Sequence, residues 1–354
     1  MLNYRDGLVD MPLYDTREQD WNIKVNANES NVGLPPLVED RVMTRLSRIA
    51  FPRYPNEEYD LLCEQIGEGY GYRRENVIIG NGSSEIIEKV FHAFGGNQEH
   101  RIVYPSPSFS MYAIYVAAAD ATGVPVPLRP DYQLDVEAFI QQVNQSQASL
   151  AVICNPNNPT GQILTPEEVE YIASHISCAL LVDEAYAEFC EHSVIALLKK
   201  YPHMMVARTF SKAYALASCR VGYMLAHEDV IDMLAKTYMP YHMNVPSLVI
   251  ADTVFQMRTE FEPQIQMICA ERERMQERYQ ALTGLTVYPS HANFLLIHYA
   301  QAEALNEDLI RYGIGVRSFG KAPGLENMLR ISIGRADQND EVYRIIKAFV
   351  EGHS

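Results

Sequence analysis

The chain has 354 residues, 47 % hydrophobic and 21 % charged, enough apolar material for one large domain with a smaller one beside it. Its 29 Lys and Arg stand against 45 Asp and Glu, and a net charge of −16 argues against nucleic acid or an anionic membrane surface as a partner. There is no basic-then-apolar leader and no apolar run of about eighteen residues, the six cysteines form no CxxC pair, and the ten histidines lack metal-ligand spacing; a reduced, cytoplasmic, metal-free protein is expected.

Residues 1–35 read as a polar, irregular arm containing Asn26-Ala-Asn-Glu-Ser-Asn31. Pro35 and Pro36 suit a helix start, 37–49 has helical apolar spacing, Phe51-Pro-Arg-Tyr-Pro55 breaks it, and 58–70 reads as a second helix. From residue 77 short apolar runs alternate with helical segments, at 77–79, 101–104, 150–154, 179–182, 204–207 and 221–225. Runs that are apolar on both faces and separated by helices predict an α/β domain with a mainly parallel sheet covered on both sides. From Ser247 a long helical stretch, broken near Pro263, reaches Leu282; strands at 292–298, 315–318 and 329–333 and helices at 302–312 and 340–350 then predict a smaller α+β domain. The expected division is an arm over 1–40, a large domain over 41–265 and a small domain over 266–354.

In an open sheet of this kind ligands sit beyond the carboxyl ends of the strands, so the loops there carry the chemistry. Gly80-Asn-Gly-Ser-Ser-Glu85 precedes a helix and can form an anion nest, or simply a tight turn with a serine cap. It lacks the third glycine of a dinucleotide fingerprint, so a single phosphate fits better. Phe109 can stack on a planar ring or belong to the core. Asn158, fixed in a loop by two prolines and a glycine, has an amide that can donate to a phenolic oxygen. Asp183 closes an apolar strand, and a buried carboxylate there calls for a cation such as a protonated pyridine nitrogen; Tyr186 follows in the same loop. Lys212 stands at the end of another apolar run, between Ser211 and, eight residues on, Arg220. A neutral lysine amine attacks carbonyls, while the serine and arginine can hold a phosphate.

With those residues in place, the sequence resembles the fold-type I pyridoxal-phosphate aminotransferases, and among them the histidinol-phosphate aminotransferase family. The resemblance runs from Val25-Asn-Ala-Asn-Glu29 to Leu329-Arg-Ile-Ser-Ile-Gly334 and rests on Asn158-Pro-Thr-Gly161, Asp183-Glu-Ala-Tyr186 and Ser211-Lys212 with Arg220. It implies that Lys212 carries pyridoxal 5′-phosphate as a Schiff base and moves the substrate α-proton, and that Asp183 pairs with the ring nitrogen. It implies too that Tyr186 and Asn158 bond the ring oxygen, that Phe109 stacks on the ring, and that Ser83, Ser84, Ser211 and Arg220 hold the phosphate. Tyr54 would reach that phosphate from a neighbouring subunit, making the active unit a homodimer. Arg330 and Arg317 match substrate-binding arginines, and Tyr14 and Asn28 lie where the family's arm closes over substrate.

The chain departs from the family in reading Asn28-Glu-Ser-Asn31 for Asn-Glu-Asn-Pro, Ala217-Ser-Cys-Arg220 for Ala-Gly-Leu-Arg, and Phe109 for a tyrosine. The first bears on the substrate pocket; none touches the cofactor chemistry. The expected activity is amino transfer between L-histidinol phosphate and 2-oxoglutarate. The rivals are an aminotransferase for aromatic or other amino acids, a phosphoamino-acid decarboxylase on the same scaffold, and a cofactor-binding regulatory domain.

Overall fold

The computed structural model describes residues 19–190 and 192–352. Seven strands form the principal sheet: β2 (Val77–Gly80), β3 (Arg101–Ser106), β4 (Thr122–Pro127), β5 (Leu150–Cys154), β6 (Ala179–Asp183), β7 (Met204–Thr209) and β8 (Gly222–Ala226). Their spatial order is β2-β8-β7-β6-β5-β3-β4. Strands β4, β3, β5, β6 and β7 run parallel, while β8 is antiparallel to both of its neighbours. Strands β2 and β5–β8 are apolar on both faces because each face has its own core. Val152 and Leu181 pack on one side with the helix α3 (Ser83–Phe94), and Ile153 and Val182 pack on the other with α2 (Glu58–Tyr70).

The sequence reading omitted β4, whose Pro125 and Pro127 each remove a ladder donor. The strand tolerates them because it lies at the sheet edge, paired only with β3. Pro263 does not break a helix either. It sits in the first turn of α9 (Glu262–Gln280), where the missing N–H has no intrahelical partner to lose, and the break falls earlier, at Arg258–Phe261.

The second core lies around a four-stranded antiparallel sheet, ordered β12 (Arg317–Ser318), β13 (Met328–Ser332), β10 (Phe294–Tyr299), β9 (Leu285–Tyr288). Helix α9 covers it with Ile268, Met275 and Tyr279, spaced to fall on one helical face. The polypeptide ahead of the large sheet docks here: β1 (Ile23–Lys24) pairs in parallel with β11 (Ile314–Gly315), and Ser332 N donates to Val25 O at 2.9 Å. That pairing delivers Asn26, Ala27 and Asn28 to the ends of β5–β7.

Candidate active site

A cavity of ≈ 670 Å³ opens at the carboxyl ends of β5, β6 and β7 and is walled on its other side by β12, β13 and residues 26–28. It brings together Ser83, Ser84, Phe109, Asn158, Asp183, Tyr186, Ser211, Lys212, Arg220, Arg317, Arg330 and Asn28. Tyr54 is not among its walls; it is 77 % exposed and stacks on Tyr241, 4.8 Å between ring centroids. Tyr14 lies outside the described residues.

Lys212 leaves the end of β7 and donates from Nζ to Ala27 O at 2.9 Å. Withdrawal from water and then the positive charges of Arg330 and Arg220 lower its pKa to about 8, so the neutral, nucleophilic amine is populated near neutrality. Asp183, 3 % exposed, ends β6. Its carboxylate accepts from Tyr112 Oη at 2.9 Å and Ala185 N at 3.2 Å. Burial pushes its pKa up to about 6, while the bond from Tyr112 and then that from Ala185 hold it down. Both hydrogen bonds come from neutral groups, so this buried carboxylate offers its charge to whatever fills the cavity.

The far end of this wall is built by close backbone approach. Helix α3 begins at Ser83, so both serines stand in its first turn, where N–H groups and the helix dipole favour an anion. Gly82, at φ 80°, passes Arg220 so closely that a Cβ there would lie 2.5 Å from Nη2. Gly222 opens β8 against the same turn, where a Cβ would lie 2.1 Å from Ser83 N. Arg220 itself adopts φ 53°, uncommon for a side-chain-bearing residue, with Nη1 reaching Ala217 O at 3.2 Å and Ser211 Oγ at 3.5 Å. Two glycines and one strained arginine thus leave a small, donor-rich hollow.

The opposite wall is cationic. Arg330 donates from Nη1 to Asn158 Oδ1 and from Nη2 to Asn26 O, both at 2.6 Å. The first bond orients the Asn158 amide so that Nδ2 remains its donor. Asn28, buried with φ 56°, donates from Nδ2 to Tyr186 Oη at 2.9 Å and is itself held by Ser332 and Asn293. Arg317 and Arg330 are direct cross-strand partners on β12 and β13.

The family model for aminotransferases of class I and II matches residues 22–346. The chain belongs to that family. It is 35 % identical over 343 residues to the histidinol-phosphate aminotransferase of Thermoanaerobacter pseudethanolicus, covering 97 % of each chain. It is also 35 % identical over 349 residues to that of Pyrococcus furiosus, covering 98 % of each. Among solved structures, histidinol-phosphate aminotransferase from Sinorhizobium meliloti in complex with pyridoxal 5′-phosphate superposes with a TM-score of 0.91 at 23 % identity, over 100 % of this chain and 99 % of that one. The cofactor of this aminotransferase is pyridoxal 5′-phosphate. The cavity fits it: a buried carboxylate without a bonded cation, a lysine of lowered pKa and a donor-rich hollow at a helix N-terminus all line it.

Sequence reasoning missed Tyr112, Gly222 and the backbone of Ala27; Thr209, expected from the sequence to line the lysine pocket, does line the cavity. Tyr112 stands in the apolar helix α4 (Met111–Ala118) and reads as core. Its one available signal was the spacing of three from Phe109, whose ring it meets edge-on at 5.5 Å. Among the described residues no helix is long and apolar enough to cross a membrane.

Proposed function

We propose that this aminotransferase takes L-histidinol phosphate as amino donor and 2-oxoglutarate as acceptor, and that it works as a cytoplasmic homodimer. The observation that carries the substrate is the cross-strand pair Arg317 and Arg330 on the cavity wall. Like charges directly opposite one another on a sheet face repel, and a phosphate dianion lying between two guanidiniums offsets that repulsion while gaining bidentate hydrogen bonds. The same pair serves the carboxylates of glutamate in the other half-reaction. The full-length likeness to histidinol-phosphate aminotransferases points the same way.

Pyridoxal phosphate, when bound, supplies the electron sink that makes the substrate α-proton acidic. Lys212 Nζ would hold the cofactor and, once released by the incoming amine, would as a neutral amine accept that proton and return it. Asp183 holds the ring nitrogen in its protonated form. Tyr186 and Asn158 would donate to the ring oxygen, Phe109 would pack against the ring, and Ser83, Ser84, Ser211 and Arg220 would hold the phosphate. Asn28 fixes the Tyr186 hydroxyl by its 2.9 Å bond. The division into an arm over 1–40, a large domain over 41–265 and a small domain over 266–354 belongs to the same reading.

Support for the dimer comes from large apolar side chains left exposed in the described residues. Leu37, Met43, Phe51, Tyr54, Met239 and Tyr241 are each at least 60 % exposed; on this reading Tyr54 would reach a second subunit's phosphate. Light scattering of the purified protein should give twice the chain mass; a monomer would remove Tyr54 from the site.

The substrate test follows the cofactor alone. Cofactor-loaded protein is mixed separately with L-histidinol phosphate, glutamate and phenylalanine, and conversion to pyridoxamine phosphate is read from absorbance. Conversion by histidinol phosphate and glutamate is expected; conversion by phenylalanine without histidinol phosphate would overturn the substrate.

A further inference from the structure

Tyr112 is fully buried, and its hydroxyl donates to Asp183 Oδ2 at 2.9 Å. The titratable groups that face Asp183 come from several elements: Tyr112 and Tyr115 from α4, Cys154 from its register position on β5, Glu184 and Tyr186 from its own strand end, and Lys212 from beyond β7. Among the side chains in that set, Tyr112 donates the hydrogen bond. The Cys154 thiol is turned to Pro156 O at 3.4 Å, and Tyr186 is bonded to Asn28. The Tyr112 ring cannot swing away, because it is packed between Phe91, Tyr104 and Phe109 with centroids 6.0, 6.3 and 5.5 Å from its own.

We infer that Tyr112 is a positioning residue that acts on the cofactor through Asp183, fixing the carboxylate that would accept the hydrogen bond of the protonated ring nitrogen. The inference rests on the functional reading above. A buried carboxylate tends to neutralise, and a neutral one no longer stabilises a protonated ring; the phenol, a donor with no charge to screen, favours the ionised form. Of the influences that keep Asp183 ionised, this hydrogen bond stands first, ahead of Ala185 N and Lys212.

The test uses the full chain stripped of cofactor and titrated with pyridoxamine 5′-phosphate, which makes no covalent bond to Lys212. Affinity is measured by fluorescence across pH. For the parent, binding should weaken on the acid side as Asp183 takes up a proton. Tyr112→Phe should have its acid limb moved up by about one pH unit, so that it binds about tenfold more weakly on the acid side and approaches the parent at alkaline pH. A purely structural tyrosine would lower thermal stability and leave the limb in place, and that result would overturn the assignment. Should Tyr112→Phe fail to fold, Tyr112→3-fluorotyrosine, a stronger donor of nearly the same shape, must move the limb to lower pH; an unmoved limb is equally fatal. Failure of the parent chain to bind pyridoxamine phosphate at any pH would instead sink the functional reading.

Discussion

Replacing Arg208 by methionine tests how the two catalytic strand ends are tied together. Arg208 stands four residues before Lys212, and Glu184 directly follows Asp183; both are buried. The guanidinium donates from Nε and Nη2 to Glu184 Oε2 at 2.9 and 2.7 Å, and Nη1 reaches Tyr70 Oη at 3.1 Å and Glu188 Oε1 at 3.3 Å. Glu184 is otherwise held by Val194 N at 2.6 Å and Ser193 Oγ at 3.0 Å. Methionine fills similar volume but leaves two carboxylates buried without their cation. Removing one partner of such a pair costs about 3–5 kcal/mol. At ~2 °C per kcal/mol for a chain this long, the thermal midpoint of the cofactor-free protein should fall by about 6–10 °C near pH 8. The deficit should shrink at lower pH. Burial already pushes the Glu188 carboxyl above its usual range, and without the guanidinium it rises further. The folded variant then binds more protons than the unfolded chain between the two pKa values, so its stability falls as pH rises through that window. Adding Glu184→Gln should restore part of the loss. Scanning calorimetry at pH 6 and pH 8 decides it: a variant within about 2 °C of the parent, or a deficit indifferent to pH, would refute the reasoning.

Lys212→Ala should abolish the absorbance of lysine-bound cofactor and steady-state transamination while leaving the circular dichroism unchanged; retained turnover would remove Lys212 from the chemistry. Because its pKa is lowered to about 8, the rate at which cofactor-free protein captures pyridoxal phosphate should rise with pH and level off above about 8; a rate still climbing at the ~10.4 of a solvated lysine would contradict the site's polarity. The same lowered pKa means that the folded chain binds fewer protons than the unfolded one from about 8 upward, so this group's contribution to stability should grow as pH rises toward the free-lysine value. Gly82→Ala forces alanine into φ 80°, ψ 163°, a region essentially reserved for glycine, at about 1–3 kcal/mol, and pushes a methyl against Arg220, so cofactor affinity should drop about tenfold or more; undiminished affinity in a fluorescence titration would show that the hollow is not the phosphate cradle.

The large sheet was legible because five of its strands announce themselves twice, as short apolar runs and as runs ending in loop residues with chemistry. Asp183, Lys212 and Asn158 could be assigned to strand ends from one dimension alone, since a parallel sheet puts successive carboxyl ends along one edge. What was not legible depends on pairing. Arg317 and Arg330 were recognised separately, but their meeting as cross-strand partners is set by the register of β12 on β13, fixed by the small-domain core. Strand β9 sits against β10 for the same reason, with only Leu285 and Val287 to signal it. Gly222 could not have been singled out, because its closeness to Ser83 arises from β8 crossing to pair with β2, more than a hundred residues away in sequence. Tyr112 was hidden differently: in an apolar helix a hydroxyl that will find a carboxylate looks the same as one that will not.

The arm explains why these separate features act as one site. Asn26, Ala27 and Asn28 are placed by pairing with the small domain, yet each bonds a different functional side chain: Asn26 O receives Arg330, Ala27 O receives Lys212, and Asn28 Nδ2 gives to Tyr186. Arg330 in turn spans from β13 to Asn158 on the large domain. Rotating the small domain away would therefore stretch the bonds of Lys212, Tyr186 and Asn158 together rather than one at a time. An anion that draws Arg317 and Arg330 toward the cofactor pulls on the same strand that carries Ser332, and Ser332 holds Asn28 through both its backbone N and its side chain. On the proposed reading, a substrate phosphate or carboxylate bound by these arginines would thus be mechanically connected to the Tyr186 hydroxyl. This geometry lets remote binding energy be used to order the catalytic groups.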